Sequence, residues 1–391
     1  MQKMGGTGEK VKTRRIIQSI GLTIGLTTIL SGCNQETEAT SIIEETVTET
    51  KTPTESDGKD PIVLRSTGEL ESLGDVKTHD LTLFFAHKAA MVGPEHVVDD
   101  RIVYTDSVGE IGNDVYVYDA TDKSNQRIYQ TSKTIGNLVG IRDELVWIEY
   151  EMTENIAYTW TIYRMKLNET KPTELVEGIS AFETPIPHLS ATDEHVTWVD
   201  YQASETVTTS AVMQFSPATK TVETVQTYTL QEGERREGEY VFDYRDSEGG
   251  VIVHRSSFAD GEKTTKLTKL DGTFDEDMDA LIDFEAGVDY VALGKEGRAE
   301  FVGLTGEAKQ FQHKSAQSKI TFDSFRFLPD QRILFREGMN RLLIADMDDG
   351  TVSSLPSQGG TTSKPIYRDG QIAYAELRDG GLITFYTIDV N

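Results

Sequence analysis

The sequence predicts an all-β fold, a seven-bladed β-propeller, and three observations lead to this prediction. Short strand-like segments recur about every 45 residues, a spacing typical of propeller blades. Each segment is followed by an alternating run that ends in a polar turn. The last unit lacks an outer strand, and surplus apolar sequence precedes the first unit.

The recurring segment is eight residues long and has an aromatic residue at its sixth position in six of seven copies. The copies begin at Asp99, Arg142, Asp193, Glu248, Glu285, Asp330 and Asp369. The aromatic residues are Tyr104, Trp147, Trp198, Tyr290, Phe335 and Tyr374, and Val253 replaces them in the fourth copy. The polar turns that follow the copies lie at Tyr118-Asp119, Leu167-Asn168, Phe215-Ser216, Leu270-Asp271, Leu304-Thr305, Ala345-Asp346 and Ile388-Asp389. Asp, Asn, Ser and Thr suit such corners because their side chains bond nearby backbone N–H groups.

Closure of the ring is predicted from the two ends of the repeat region. The seventh turn comes just before Asn391, so the last unit has no outer strand of its own. Pro61 to Leu64 and Leu81 to Phe85 are apolar and precede the first unit. We therefore expect this N-terminal segment to supply the missing strand and remove an exposed sheet edge.

These features resemble the TolB-like or WD40-like propellers of bacterial exported proteins, over about Pro61 to Asn391. The paired Gly-His and Trp-Asp motifs of WD40 repeats are absent, and Gly-Gly pairs do not recur at one blade position as in Kelch repeats. Two stacked β-sandwich domains would also give many short strands. Six or eight blades remain alternatives because the fourth copy matches poorly.

The first 32 residues have the pattern of a secretory signal. Basic residues from Lys10 to Arg15 precede an apolar stretch, Ile16 to Leu30, that is short for a membrane span. The ending Leu30-Ser31-Gly32-Cys33 resembles the lipobox of bacterial lipoproteins. This resemblance implies cleavage between Gly32 and Cys33 and attachment of diacylglycerol to the Cys33 sulfur, with palmitate-type chains. We therefore expect a protein anchored by lipid on the extracytoplasmic face of the cell membrane.

A tether follows the anchor, from Cys33 to residue 60. It is rich in Thr, Glu and Ser and has too few apolar residues to bury a core. As a flexible chain it has a root-mean-square reach of roughly 30 Å. The predicted organisation is therefore signal peptide 1–32, lipidated tether 33–60 and propeller 61–391, although Ile42 and Ile43 could form a short docking strand.

Charge and cysteine content exclude several classes of function. The net charge is −27, so nucleic acid is not an expected partner. Cys33 is the sole cysteine, which excludes an internal disulfide and a thiolate metal site.

Candidate ligand-binding residues come from two patterns. The eighth position of the repeated segment is acidic in five copies, Asp106, Glu149, Asp200, Glu337 and Glu376, with Arg255 and Ala292 in the others. If these strand ends share one rim, they form a broken acidic ring for a cation or basic ligand; alternatively, each acid is a solvated residue beside its hairpin. Tyr150, Trp160 and Tyr201 lie on or near longer connections and could contact a saccharide or peptide, or they could pack between blades.

No cofactor is expected, apart from a weak calcium site. Asp275, Asp277, Asp279 and Asp283 have the spacing of an EF-hand loop, but Ala280 and Ala286 replace its glycine and its bidentate glutamate. The histidines show no zinc motif, and we find no nucleophile elbow, P-loop or Rossmann pattern, so no catalytic residue is predicted.

The favoured function is therefore a monomeric binding or scaffolding module for a protein or saccharide ligand. A hydrolase or lyase acting on a saccharide or peptide is the main alternative, and an envelope-assembly subunit is another. Solvated rim acids would favour binding, and a buried carboxylate or histidine cluster in the central channel would favour catalysis. A large exposed apolar patch would favour assembly.

Overall fold

A computed structural model describes residues 61–70, 73–84, 92–107, 113–153, 157–181, 184–278, 280–304 and 309–390. Strands β4 to β31 form seven units of the same plan, in which the chain runs from an innermost strand outward. The all-β, seven-bladed propeller predicted from the sequence is confirmed. The predicted signal peptide, Gly32, Cys33 and the tether lie outside the described residues.

The first four blades follow one another along the chain. Blade 1 contains β4 (Pro94–Val98), β5 (Arg101–Ser107), β6 (Asn113–Asp119) and β7 (Ser124–Thr131). Blade 2 contains β8 (Thr134–Ile141), β9 (Glu144–Met152), β10 (Tyr158–Lys166) and β11 (Thr173–Ser180). Blade 3 contains β12 (Ser190–Ala191), β13 (Val196–Ala203), β14 (Val207–Ser216) and β15 (Thr221–Gln231). Blade 4 contains β16 (Glu237–Ser247), β17 (Gly250–Ala259), β18 (Glu262–Lys269) and β19 (Asp275–Asp277).

The last three blades each add a strand from the N-terminal segment. Blade 5 contains β20 (Asp283–Ala286), β21 (Tyr290–Lys295), β22 (Arg298–Gly303), β23 (Phe311–Lys314) and the added β1 (Ile62–Val63). Blade 6 contains β24 (Phe322–Leu328), β25 (Arg332–Glu337), β26 (Arg341–Asp346), β27 (Thr351–Ser354) and the added β2 (Arg65–Glu69). Blade 7 contains β28 (Thr361–Thr362), β29 (Ile366–Arg368), β30 (Gln371–Arg378), β31 (Leu382–Asp389) and the added β3 (Val76–Asp80).

The repeated segment corresponds to the first hairpin turn of a blade and the strand after it. Its first residue has positive φ in several copies, 52° at Asp99, 57° at Asp330 and 49° at Asp369. Aspartate tolerates this left-handed conformation better than most residues, and tight hairpins require it. The polar turn after β6 also forms as expected, since Asp119 Oδ1 accepts the N–H of Thr121 at 2.9 Å. The predicted turn at Ile388-Asp389 does not form, because both residues belong to β31.

The second strand of each blade is buried on both faces because every blade lies between two others. Tyr104, Trp147, Phe335 and Tyr374 are at most 1% exposed. The predicted alignment is wrong in blade 5, where the turn consists of residues 288–289 and Tyr290 begins the second strand. The true equivalent of the repeated aromatic position there is Leu293, three residues later.

Contacts between innermost strands close the circle. β4 contacts β8, and the contacts continue through β12, β16, β20, β24 and β29, which contacts β4 again. This ring of seven strands surrounds a central channel. Blades 3 and 4 share one continuous eight-stranded sheet because β15 pairs with β16 through Leu230–Gly238 and Gln231–Glu237. Gly238 is needed there: its φ is 111°, and a Cβ would lie 2.1 Å from the Thr229 carbonyl oxygen.

The strap, residues 61–70 and 73–84, runs along the outer edges of three blades in succession. Its strand β1 pairs parallel to β23, β2 pairs parallel to β27, and β3 pairs antiparallel to β31. The Arg65 N–H donates to the Gly350 carbonyl at 3.0 Å, and the Leu81 N–H donates to the Ile383 carbonyl at 3.1 Å. The strap therefore covers the edges of blades 5 and 6 and completes blade 7.

Closure by an N-terminal strand is confirmed, but the predicted location of that strand is wrong. Pro61 to Leu64 pairs with blade 5 rather than blade 7, and Thr82–Phe84 is a 3₁₀ turn; Phe85 lies outside the described residues. The closing strand is Val76–Asp80, in which only His79 is buried. Among the described residues there is no helix long and apolar enough to cross a membrane.

Candidate functional site

The position-eight acids lie where the second strands end, but most of them do not face solvent. Asp106 is 5% exposed, Glu149 3%, Glu337 2% and Glu376 0%. Only Asp200 is half-buried, and it accepts a hydrogen bond from Gln202 at 3.2 Å. The expectation of an open acidic rim is therefore wrong.

Glu149 and Glu376 accept several hydrogen bonds, some of them from a neighbouring blade or from the connection between two blades. Glu149 accepts bonds from Tyr129 Oη at 2.7 Å, Thr131 Oγ1 at 2.8 Å and Trp147 Nε1 at 2.9 Å. Glu376 accepts bonds from Ser357 Oγ, Gln358 N, Gly360 N and Tyr386 Oη at 2.5–3.0 Å. Burial opposes ionisation of Glu376, but these donors outweigh it and its pKa is lowered.

The remaining members of the predicted ring also have local partners. Glu337 forms an ion pair with Arg341 at 2.5 Å, and Arg255, which breaks the acidic set, pairs with Glu239. With the corrected alignment, blade 5 contributes Lys295 rather than Ala292, and Lys295 pairs with Glu300 at 2.6 Å. The geometry gives these acids structural partners within the fold, and a role in ligand binding stays a prediction without support from their contacts.

The three predicted aromatic residues serve mainly to pack the blades. Trp160 is 3% exposed and donates from Nε1 to Ser180 Oγ at 3.1 Å. Tyr150 is half-buried and packs edge-on against Tyr158. Tyr201 is 5% exposed and lies behind Tyr240, with ring centroids 5.6 Å apart. Tyr201 therefore contacts a residue that lines the cleft described next.

A cleft of about 360 Å³ lies between blades 3 and 4, where their shared sheet turns from β15 into β16. Its lining consists of Thr184, Ala203, Thr208, Leu230, Glu232, Arg236, Tyr240, Phe242, Ser256, Phe258 and Lys263. The aromatic side chains come from the strands of blade 4, and Glu232 and Arg236 come from the turn between the two blades. This volume is in the range of small-ligand sites, and the lining combines three aromatic side chains with several polar and charged groups.

The polar groups of the cleft are held in place from its rim. Arg236 Nε pairs with Glu232 Oε2 at 2.9 Å, and Thr208 Oγ1 donates to Glu232 Oε1 at 3.2 Å. The Arg236 guanidinium also lies 5.9 Å from the centroid of the Phe258 ring. Phe242 is 41% exposed, which is unusual for a large aromatic side chain in a strand, and its ring packs on His254 at 4.2 Å.

A second group of polar residues lines the central channel and links blades 4, 5 and 6. Arg245 on β16 pairs with Asp243 at 2.7 Å and with Asp283 on β20 at 2.6 Å. Arg326 on β24 pairs with Glu285 on β20 at 3.2 Å. Burial opposes the charge on Asp283, yet Arg245 and the Ser324 N–H outweigh it and the pKa of Asp283 is lowered.

Two carboxylates near the channel have raised pKa values. Burial raises the pKa of Glu95 on β4 to about 7, although the charge of Lys364 opposes this shift. Burial likewise raises the pKa of Glu285 to about 7 despite Arg326. The side chain of His188 is exposed. Desolvation by the atoms around it, together with the charge of Arg245, lowers its pKa to about 4.

The predicted EF-hand spacing does not form a loop. Asp275 and Asp277 belong to β19, Asp283 begins β20, and Asp279 lies outside the described residues. Asp275 accepts a hydrogen bond from Thr268, and Asp283 is paired with Arg245. Within the described ranges, no group of three or more His, Cys, Asp or Glu side chains is arranged to hold a metal ion.

Residues of the cleft and channel were not identified from the sequence. Phe242 and Arg245 come from β16, which lies between two of the repeated segments, so the repeat gave no reason to select them. The one sequence signal for the cleft is a phenylalanine on the exposed face of an alternating strand. Recognising this signal requires knowledge of which face of the strand is buried.

The closed ring of seven blades makes this chain a β-propeller protein. Solved structures of β-propellers are similar to this chain, whereas no family model and no curated protein matches the sequence. The chain is similar to the β-propeller domain of the Trilobed protease from Pyrococcus furiosus, with 12% identity, a TM-score of 0.47, and 77% and 96% of the two chains covered. It is also similar to the periplasmic gluconolactonase PpgL of Pseudomonas aeruginosa, with 13% identity, a TM-score of 0.44 and the same coverage.

Proposed function

We propose that this protein is a lipid-anchored extracytoplasmic binding protein whose propeller takes a ligand in the cleft between blades 3 and 4. The observation that supports the proposal is the cleft itself, with the exposed Phe242 ring beside Tyr240 and a rim of Glu232, Arg236 and Lys263. An aromatic wall suits the apolar face of a sugar ring or a peptide side chain. The charged rim would orient polar groups of that ligand.

Phe242→Ala is expected to weaken binding at least tenfold without loss of stability. The side chain is 41% exposed and lies outside the core, so its removal leaves no core cavity, whereas an aromatic anchor at a binding site commonly contributes about 2 kcal/mol or more. The measurement is a screen of oligosaccharide and peptide arrays with the soluble propeller, followed by titration calorimetry of each compound that binds.

A matched control is Leu382→Ala, which truncates a similarly exposed apolar side chain, 39% against 41%, in blade 7. It should bind each compound as the wild type does. Equal affinity of wild type and Phe242→Ala for every compound would exclude the cleft as the site.

The anchor is tested at Cys33. The wild type is expected to incorporate a palmitate analogue and remain with the membrane fraction, because two or three acyl chains hold a protein durably. Cys33→Ser should lose the label and appear in the soluble fraction. An unlabelled wild type would contradict the lipid anchor but would leave the proposed cleft unaffected.

A hydrolase or lyase is the second candidate, and the buried carboxylates beside the channel favour it. Glu95 and Glu285, with pKa values of about 7, fall in the range useful for general acid or base catalysis. The test is incubation of each bound saccharide or peptide with wild type, Glu95→Gln and Glu285→Gln. Bond cleavage that is lost in these variants would favour the enzyme, and intact ligand with unchanged binding would favour the binding protein.

A further inference from the structure

The lining of the cleft comes largely from one face of the sheet that blades 3 and 4 share. Residues directly opposite each other on antiparallel strands have their side chains on the same side of the sheet. Thr208 on β14 lies opposite Leu230, Leu230 opposite Gly238, Gly238 opposite Phe258, and Phe258 opposite Lys263 on β18. Because Gly238 has no side chain, the middle of this row leaves room for a ligand to approach the backbone.

One buried hydroxyl group in the cleft has no partner. Ser256 lies opposite Tyr240 and two residues before Phe258, on the same face of the sheet, and it is 5% exposed. Among the described residues its Oγ forms no hydrogen bond. Buried polar atoms in folded proteins are nearly always hydrogen-bonded. An unpaired hydroxyl in the wall of a cleft therefore points to a polar group of a ligand.

Two cations of the cleft also have donors that the described residues do not occupy. The Lys263 ammonium group forms no ion pair and no hydrogen bond within the described ranges. Arg236 pairs with Glu232 through Nε, and its two terminal nitrogens form no hydrogen bond in the part of the chain that the structure describes. A guanidinium with both terminal nitrogens free can bind a carboxylate in bidentate fashion.

The acids of the same strands lie on the other face of the sheet. Glu239 lies opposite Ser257 and Glu262 lies opposite Ala259, each one residue out of step with the row that contains Gly238 and Phe258. Successive side chains of a strand alternate between the two faces. The cleft is therefore lined by one acid and two cations, in a chain whose net charge is −27.

We propose that the cleft binds a saccharide containing a uronic acid, a sugar residue that carries a carboxylate. This inference rests on the function proposed for the cleft and names its ligand class. The carboxylate binds Arg236 and Lys263, the apolar face of the sugar ring stacks on the aromatic side chains, and Ser256 bonds a hydroxyl group of the sugar. An extended peptide bound by strand addition would need a free strand edge, and the pairing from β14 to β18 leaves none at this row.

The test compares disaccharides of galacturonic acid and of glucuronic acid with their neutral methyl esters, by titration calorimetry on the soluble Cys33→Ser protein. At least one of the acids is expected to bind, and its ester is expected to bind about tenfold more weakly. Lys263→Gln and Arg236→Gln should each weaken binding of the acid about tenfold and affect binding of the ester much less. Phe242→Ala should weaken both, because the acid and the ester share the sugar ring.

Lys266→Gln is the matched control for the charge. Lys266 lies on the same strand as Lys263 but opposite Arg255, on the other face of the sheet, where it pairs with Asp275 at 3.2 Å. Its substitution changes the net charge by the same amount as Lys263→Gln. The affinity for the acid should therefore stay within about twofold of the wild type.

Ser256→Ala tests the unpaired hydroxyl group. The variant should bind the acid and the ester several-fold more weakly without a lower melting temperature, because the hydroxyl stabilises no other group of the fold. Unchanged affinity in this variant would contradict the position assigned to the sugar.

The outcomes separate this inference from the function on which it rests. Equal binding of acid and ester would overturn recognition of the carboxylate and leave the cleft as a site for neutral ligands. Binding of a glutamate-containing tripeptide of the same charge, but of neither disaccharide, would overturn the saccharide and keep the cleft. Binding of the acid that Phe242→Ala does not weaken would exclude the cleft itself.

Discussion

A version of the chain that begins at residue 92, without the strap, will not show a cooperative unfolding transition. The strap buries Leu64, Leu73 and Leu81, which are 5%, 8% and 0% exposed. Each such side chain contributes about 1.5–3 kcal/mol when fully buried. Together they approach the whole net stability of a domain, about 5–15 kcal/mol. Removing β3 also exposes the edge of β31 along its full pairing, which favours aggregation.

The matched version begins at Pro61 and lacks only the predicted signal and tether. It should unfold at the same temperature as the chain that begins at Cys33. Calorimetry of the two soluble proteins is the measurement. A cooperative transition in the version without the strap, at a temperature close to that of the version beginning at Pro61, would show that the ring does not need its N-terminal strands.

Glu376→Ala will destabilise the propeller by about 3 kcal/mol or more, because each buried donor left without an acceptor costs about 1–3 kcal/mol. The substitution leaves the N–H groups of Gln358 and Gly360 and the hydroxyl of Tyr386 without their acceptor. In a domain of this size, the melting temperature should fall by at least about 6 °C. Denaturant or thermal unfolding followed by circular dichroism measures the change.

The pH dependence of this contribution has a defined sign. The pKa of Glu376 is lowered in the folded state, so its stabilisation is present above the ordinary glutamate pKa and is lost as the pH falls below it. The difference in stability between wild type and Glu376→Ala should therefore shrink in acid.

Asp200→Asn is the control at the same repeat position. Asp200 is half-buried and accepts a weak bond from Gln202, so its substitution should change stability by less than about 0.5 kcal/mol. Equal and small effects of Glu376→Ala and Asp200→Asn would contradict the structural role assigned to Glu376.

The repeat allowed the fold to be predicted because its signals are local. The aromatic residue at position six and the aspartate at the first hairpin report on burial and on backbone conformation within a few residues. The alignment is wrong in blade 5 because Tyr290 is an aromatic residue that lies three residues before the equivalent position, Leu293. The closing strand was missed for a different reason: Val-Lys-Thr-His-Asp at 76–80 is an edge strand with one buried residue, so its hydrophobicity does not distinguish it from a loop.

The site could not be predicted because its geometry depends on ring closure. Whether Glu149 or Glu376 faces water depends on donors such as Tyr129, which the neighbouring blade supplies, and Ser357, which lies in the connection between blades 6 and 7. Arg368 and Ala191 are 177 residues apart, and only the circular arrangement brings them together. The cleft likewise requires the shared sheet of blades 3 and 4, which no repeated segment contains.

The closed ring is tested most directly by a disulfide between β3 and β31. The Leu81–Ile383 hydrogen bond makes the adjacent Asp80–Thr384 pair a non-hydrogen-bonded pair, with Cα atoms about 4.5 Å apart, near enough for a disulfide. In a Cys33→Ser background, Asp80→Cys with Thr384→Cys should crosslink nearly completely under mild oxidation, and Asp80→Cys with Ser354→Cys should not. Failure of the first pair to crosslink, or equal crosslinking of both pairs, would contradict closure of the propeller by its N-terminal strap.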